Sequence, residues 1–512
     1  MMTHVREGLT GILSLTAEGR TETFVPNYDQ DRARELLLEF QELADDSGCL
    51  LKNNYHAEGF NWYPSMVSWL YWYVFFPFIK YEPLLVEWLD GKRQFSWQGS
   101  GQFRTLLDVF DKSPVRRSPA TRLHGFLLRW NNRMVVRGSS ADLLFFRFAE
   151  SDFRTAEIRK ALDSLRVNYL DVSPAPRIRR MVEGLLKGER NYYYSHPPGM
   201  NRGNRFGRRY RLEYLKPAKR SLFTAAIRAV ELSITSFLVE YRDHEKALSH
   251  CTAKTFYGLD DINGYFFPVL YACRSRGMKT IGHQHGAYVR RHAGYMMEGI
   301  DAADFRWFDR VIVWGEYWKE KMERTSKAYP PDFFVVGCNK LTSMPETVEA
   351  LERKTQTILI PYEFLGNTDG VGKYMQRFID LGYRVAFKPR PDDDLNEQLD
   401  AYHLPASYRE KLEIIPKLNT AALAEIDIIA GTMTTLIYEM LPCNKIVWIL
   451  ETEFRHLFDL VDEGIAHLIR LDDLLPPEQM PPEKMTRTCI PSERLFGVKS
   501  LIDTLRQHVV GA

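Results

Sequence analysis

IDIIAGTMTTLIYEML, Ile426 to Leu441, is the stretch on which the fold turns. IDIIA is a nearly continuous apolar run, the pattern of a central parallel strand covered on both faces. Gly431 then permits a tight strand-to-helix turn. The spacing predicts a helix beginning at Thr432, which puts Thr432, Thr434 and Thr435 in its first turn. Four backbone N–H groups lack partners there. Unpaired donors, hydroxyls and the positive end of the helix dipole together make a phosphate site. Glu439 falls four residues after Thr435 on the same face, placed to accept both hydroxyls of a ribose. The plainer alternative is Thr432 as an N-cap and a solvated Glu439.

Working outward, this stretch is one step in an alternation. Thr357–Tyr362, Tyr383–Pro389, Leu412–Pro416 and Lys445–Leu450 read as strands, with helices at Lys373–Leu381 and Asn419–Ala424. An earlier series has strands at Leu143–Phe148, Val167–Val172, Lys254–Tyr257, Met278–Gly282, Arg310–Trp314 and Phe333–Val336. Its helices are Thr155–Leu165, Leu222–Tyr241 and Ile262–Arg276. Strand and helix alternating through short loops means parallel sheets with right-handed crossovers. The expected fold is α/β: two Rossmann-like doubly wound domains facing a cleft, with an extended N-terminal region. The expected divisions are 1–140 (an extension, or the first part of the first domain), 141–340, 341–480 and a helical tail, 481–512. Ligands of such sheets bind beyond the carboxyl ends of the strands.

Two further strand ends carry chemistry. In FKPRPDDD, Phe387 to Asp394, the Pro-x-Pro forbids an immediate helix. Lys388 and Arg390 stand two residues apart, and a point charge with a planar fork suits phosphate. The three aspartates either cap the next helix or bind a metal. In TIGHQHGAYV, Thr280 to Val289, a strand delivers His283, Gln284, His285 and Gly286. One reading is a zinc ion shared by the two histidines, for which no third ligand has convincing spacing. A second is two structural histidines. The third is a catalytic or donor-binding loop, with Gly286 allowing close backbone approach and one histidine as base or phosphate ligand.

Composition narrows the class. The 512 residues are 45% hydrophobic and 26% charged, with a net charge of +2, so nothing global points to nucleic acid. Six scattered cysteines without a C-x-x-C pair suit a reducing, cytoplasmic setting. No secretory signal pattern opens the chain. Met66–Ile79, MVSWLYWYVFFPFI, is shorter than a spanning helix; it reads as a buried helix or, alternatively, as a contact with a membrane surface. Residues 201–220 hold eight Lys or Arg and one acid, which suits an acidic partner or an anionic membrane face, or else a solvated loop.

The order of motifs is similar to a known group: QHG after a strand, RVIVWG, VVGCNKL at Val335–Leu341, an ILIP strand, KPRP, and then GTMTTLIYEML. It resembles the GT-B glycosyltransferases of bacterial surface-polysaccharide synthesis, the capsule and O-antigen group with the Kdo transferases. The resemblance covers about residues 255–450. It implies that the 341–480 domain binds a nucleotide sugar and the 141–340 domain a glycan or lipid-linked glycan acceptor. Transfer would be metal-independent and inverting, with no cofactor and with peripheral placement at the inner face of the membrane. Many relatives carry His-Pro where Arg390-Pro391 stands, and always-charged arginine is a poor base. Phosphate binding therefore falls to Arg390, Lys388, Gly431, Thr432, Thr434 and Thr435, ribose binding to Glu439, and loop contacts with the donor to Gln284 and Gly286. Proton transfer falls to His285, with His283, Asp260, Asp261, Glu150 and Asp152 as alternatives. Competing expectations are a polyol-phosphate transferase, a sugar-nucleotide epimerase and an inactive scaffold of the same fold.

Overall fold

The computed structural model describes the chain apart from residues 1, 9–10, 100, 112–118, 147–152, 190, 195–204, 261, 338–355, 364–365, 391–393 and 512. Within it, every residue of Leu143–Phe146, Thr255–Leu259, Thr357–Pro361, Ile428–Gly431 and Ile446–Leu450 is buried. Strands apolar on both faces are stable only between two layers of helix. The chain satisfies this twice.

The first sheet has seven parallel strands in the order Phe334–Val336, Arg310–Val313, Lys279–His283, Thr255–Leu259, Leu143–Phe146, Tyr169–Pro174, Asn191–Tyr194. The second has six parallel strands: Glu413–Ile414, Arg384–Lys388, Thr357–Pro361, Ile428–Gly431, Ile446–Leu450, His467–Ile469. Each is doubly wound, and the fold class expected from the alternation is the one observed. The chain order reverses between Leu143–Phe146 and Thr255–Leu259 in the first sheet, and between Thr357–Pro361 and Ile428–Gly431 in the second. Crevices for ligands open at such reversals. The expected division near residue 340 lies outside the described residues.

The N-terminal region carries its own four-stranded sheet, Arg20–Phe24, Leu13–Ala17, Met2–Glu7 and Gln94–Gln98, which the sequence reading did not resolve. The helical turns Pro64–Leu70, Tyr71–Phe75 and Phe76–Leu89 follow one another directly. Of the aromatic stretch 66–79, only Trp69 and Tyr73 are not buried. Most of its apolar surface is spent on the core. Among the described residues one helix, Pro217–Leu248, is long and apolar enough to cross a membrane, and 61% of its most apolar stretch is buried. Phe223 meets Phe40 and Phe75, and Tyr241 meets Phe60 and Trp62, so it is packed as a core helix. The C-terminal segment returns to the first sheet, where Leu505 and Val509 share a core with Leu143, Ile281 and Ile312.

A buried cation ties the two halves. Lys321 of the helix Glu316–Thr325 forms an ion pair with Asp459 and lies 3.5 Å from Glu463 and 2.9 Å from the Tyr438 hydroxyl. Tyr317 donates to Glu463 at 2.7 Å. The N-terminal region bridges to the same half: Tyr28 packs edge-on against Phe454, and Gln30 meets His456 at 3.3 Å.

Candidate functional site

The strand Thr255–Leu259 ends at the first reversal, and the next residue is Asp260. Its side chain has no exposed surface. An unexposed carboxylate needs donors on both oxygens. The backbone N–H of His285 donates to Oδ1 at 2.9 Å, the His285 ring Nδ1 lies 2.6 Å from the same oxygen, and the Tyr288 hydroxyl donates to Oδ2. The carboxylate fixes both the ring orientation and the tautomer of His285, because Nδ1 must carry the proton to satisfy it. The Tyr295 hydroxyl lies 3.4 Å from Nδ1 and 3.5 Å from Nε2. The His285 side chain is 24% exposed, so the ring stands at the boundary between core and solvent. Burial and the Asp260 charge hold the Tyr288 phenol protonated, its pKa raised well above the usual value.

The neighbouring residues divide by strand geometry. His283 ends the strand, fully buried, with Nδ1 2.8 Å from the Tyr257 hydroxyl. Burial lowers its pKa to about 3. The structure thus places His283 in the core beneath the loop, and the two histidines hold different partners at Nδ1. Gln284 is also fully buried. It donates to the Gly286 carbonyl at 2.9 Å and accepts from the Trp314 N–H at 2.9 Å, while the Trp314 indole donates to the Gln284 carbonyl at 2.8 Å. Expected as a donor ligand, its side chain here braces the loop against the adjacent strand. At Gly286 an added Cβ would meet nothing within 4 Å. Asp261, Glu150 and Asp152 lie outside the described residues.

The second reversal is built differently. The helix expected from Thr432 begins later, spanning Leu436–Glu439, and Thr434 Oγ1 accepts from the Leu436 N–H at 3.2 Å. The amides expected to hold a phosphate are already taken. Glu363, two residues beyond Thr357–Pro361, accepts from the Thr432 N–H at 2.6 Å, the Met433 N–H at 2.7 Å and the Thr432 hydroxyl. The Thr434 N–H lies 3.4 Å from the same carboxylate. Burial raises the Glu363 pKa and these bonds oppose the rise. A Cβ on Gly431 would come within 2.6 Å of Glu363 Oε1, so the glycine serves the carboxylate's close approach. Thr432 itself is fully buried. Where a phosphate was expected at Gly431 and Thr432, a protein carboxylate meets the Thr432 and Met433 amides.

Lys388 and Glu439 remain as a charged pair at the carboxyl end. Burial lowers the Lys388 pKa and the nearby Glu439 charge raises it. Lys388 also donates to the Pro389 carbonyl at 2.7 Å. Arg390 is exposed, and its backbone is clamped by buried Gln398, which accepts from its N–H at 2.8 Å and donates to its carbonyl at 3.1 Å. Thr435 is half-buried. Of the FKPRPDDD aspartates, Asp394 caps the helix Leu395–Asp400, accepting from the Glu397 N–H at 3.0 Å, and the other two are outside the described residues. A cavity of about 650 Å3 lies between Val25–Asn27 and the second domain, lined by Asn367, Asp369, Lys373, Thr452, Glu453 and Arg455 among others. No residue predicted from the sequence lines it.

Sequence reasoning placed His285 and Asp260 as alternatives; the structure joins them. It missed Tyr288, Tyr295, Gln398 and Glu363. Glu363 had one available signal, its position just past a central strand, but only the strand order shows that this is where the sheet reverses.

No family model matches the chain, and no curated protein sequence is significantly similar to it. Several solved structures are similar at low identity. MurG of Acinetobacter baumannii matches with a TM-score of 0.38 and 13% identity over 72% of this chain and 95% of that one. The calicheamicin glycosyltransferase CalG4 matches with a TM-score of 0.38 and 12% identity over 72% and 94%. The UDP-GlcNAc 2-epimerase of Methanocaldococcus jannaschii, in complex with UDP-GlcNAc and UDP, matches with a TM-score of 0.41 and 12% identity over 72% and 99%.

Proposed function

We propose that the protein transfers a sugar from a nucleotide-sugar donor to a hydroxyl of a surface-polysaccharide or lipid-linked glycan acceptor, with inversion. The observation that carries this reading is the Asp260–His285 pair at the first sheet's reversal. In the proposed step, His285 Nε2 takes the proton of the acceptor hydroxyl, and that oxygen attacks the anomeric carbon. The bond from that carbon to the nucleotide's phosphate oxygen breaks, and the electron pair leaves with the nucleotide. Asp260 stabilises the imidazolium that forms. Lys388 and Arg390 offset the charge on the departing phosphate, and Glu439 receives the ribose. The cradle held by Glu363 takes no part.

The test pairs binding with turnover. Thermal shifts with UDP, CMP, CDP, GDP and ADP would name the donor class, since a ligand of the folded form raises its stability by mass action. The matching nucleotide sugars are then supplied with and without a glycan acceptor. Acceptor-dependent nucleotide release that is lost in His285→Ala supports the reading. Turnover without any acceptor would replace it with epimerisation, and no shift with any nucleotide would sink it.

A further inference from the structure

The helix Pro119–Arg137 has two apolar faces. One is inward: Leu128, Val135 and Val136 are buried, and the side-chain amides of Asn131 and Asn132 donate to the Asn191 and Tyr193 carbonyls at 2.9 and 2.7 Å. The other points away from the protein. Leu123, Phe126, Trp130 and Met134 are spaced by three and four residues, which places them in one stripe, and each is about half exposed or more, at 51%, 59%, 48% and 51%. The helix Ile178–Leu186 lies alongside, joined through Met181 against Leu128 and a 2.9 Å contact from His124 Nε2 to the Pro176 carbonyl. It adds Val182 and Leu186, the latter 84% exposed. Of the fourteen most exposed large hydrophobic side chains among the described residues, these two helices hold six. Scattered singly they would need no explanation; gathered on adjacent helices they do.

The charge around the stripe is of one predominant sign. Pro119–Arg137 contains four arginines and no acid. Arg133 and Arg137 are exposed, as are Arg177 and Lys187 beside the second helix. Arg129 faces Asp243 at 3.5 Å and Arg179 faces Glu183 at 2.9 Å, so the acids nearby are already engaged. Trp, Phe and Leu on one strip with arginine along its flank is the chemistry of a helix lying in a lipid headgroup layer. We infer that this two-helix face docks on an anionic lipid bilayer. His124 marks the helix's amino-terminal end at the carboxyl end of Tyr169–Pro174, the same rim that carries Asp260 and His285. The stripe flanks the edge strand Asn191–Tyr194, four strand spacings from Lys279–His283, roughly 19 Å along the sheet. An amphiphile embedded in that bilayer would meet the first domain from its own side. The inference does not depend on transferase chemistry.

The test is co-sedimentation of the full chain with vesicles of equal parts phosphatidylcholine and phosphatidylglycerol, against phosphatidylcholine alone. The expected result is binding to the mixed vesicles only, weakened by salt, and reduced roughly tenfold in both Phe126→Asp/Trp130→Asp and Arg133→Glu/Arg137→Glu. Thermal melts would show both variants folded; Trp130→Ala alone, expected to bind a few-fold more weakly, serves if either is not. Failure of the wild type to sediment with mixed vesicles, or binding that survives the variants, overturns the inference. So does a wild-type dimer that the Phe126→Asp/Trp130→Asp variant dissociates, which would give the face to a second copy.

Discussion

Asp260 and Glu363 hold corresponding places, each just beyond a strand that borders the reversal of its sheet. Both carboxylates are buried, and both collect three or more donors. They differ in what supplies those donors. Asp260 is satisfied largely by side chains, and one of them, His285, is partly exposed. Glu363 is satisfied by the backbone of the facing loop and one threonine hydroxyl, and it presents nothing outward. A buried carboxylate that orients a titratable ring transmits its charge to the site; one that saturates a loop's amides holds that loop in place. The same strand order thus yields a part-exposed histidine at one reversal and a carboxylate-filled loop at the other.

The largest expected effect separates these roles. His285→Ala should lower acceptor-dependent transfer by about 10²- to 10⁴-fold while leaving the melting temperature within a few degrees. Equal losses of transfer and stability would put His285 on the same footing as Glu363. Next in size, Glu363→Ala would leave buried amides and the Thr432 hydroxyl without their acceptor, a cost of about 2–5 kcal/mol of folding stability. Urea denaturation reads this directly, and Glu363→Gln should recover part of it. A Glu363→Ala chain that is fully stable yet binds nucleotide more tightly would show that the carboxylate stands in for a phosphate rather than anchoring the loop.

Acid tests the ground beneath the dyad. Burial lowers the pKa of His283 to about 3 and of His244 and His292 to about 4, against an ordinary 6.5. The unfolded chain therefore binds more protons than the folded one between these values. Stability should be intact above pH 6.5 and fall steadily towards pH 4. Glu363 and Glu7, whose pKa values are raised, act in the opposite direction, but His456 and His508 are lowered as well and add to the three histidines. Denaturation midpoints across this range should fall less in His283→Gln than in the wild type; an identical slope would mean that His283 is not held neutral. The smallest effect concerns Gly286. Open space surrounds its missing Cβ, so Gly286→Ala should not change stability measurably. Weaker transfer in that variant would report a ligand passing close to the backbone, and unchanged transfer would remove Gly286 from the site.

Much of this was legible in advance. Runs such as IDIIA, TILIP and RVIV announced strands covered on both faces, because only a two-sided helical layer tolerates them. The histidine at the mouth of the first sheet was readable from a strand followed by HQHG. The four-stranded N-terminal sheet was not, because the buried face of Met2–Glu7 carries polar Thr3 beside Val5 and its partner Gln94–Gln98 lies far along the chain. The helix Pro119–Arg137 was missed because two apolar faces blur a single helical period.

The amino-acid sequence by itself determined the local order: which segments are strands, which loops follow them, and which chemistry-bearing residues those loops carry. These are consequences of periodicity and turn chemistry, which act within a few residues. Only the tertiary structure decided which of those residues meet. Asp260 found His285 twenty-five positions away because adjacent parallel strands bring their loops to one rim. Glu363 found the Thr432 amides sixty-nine positions away because the sheet reverses between their strands. A carboxylate buried from water is stabilised by whatever donors the fold brings to it, and that choice is made in space rather than along the chain.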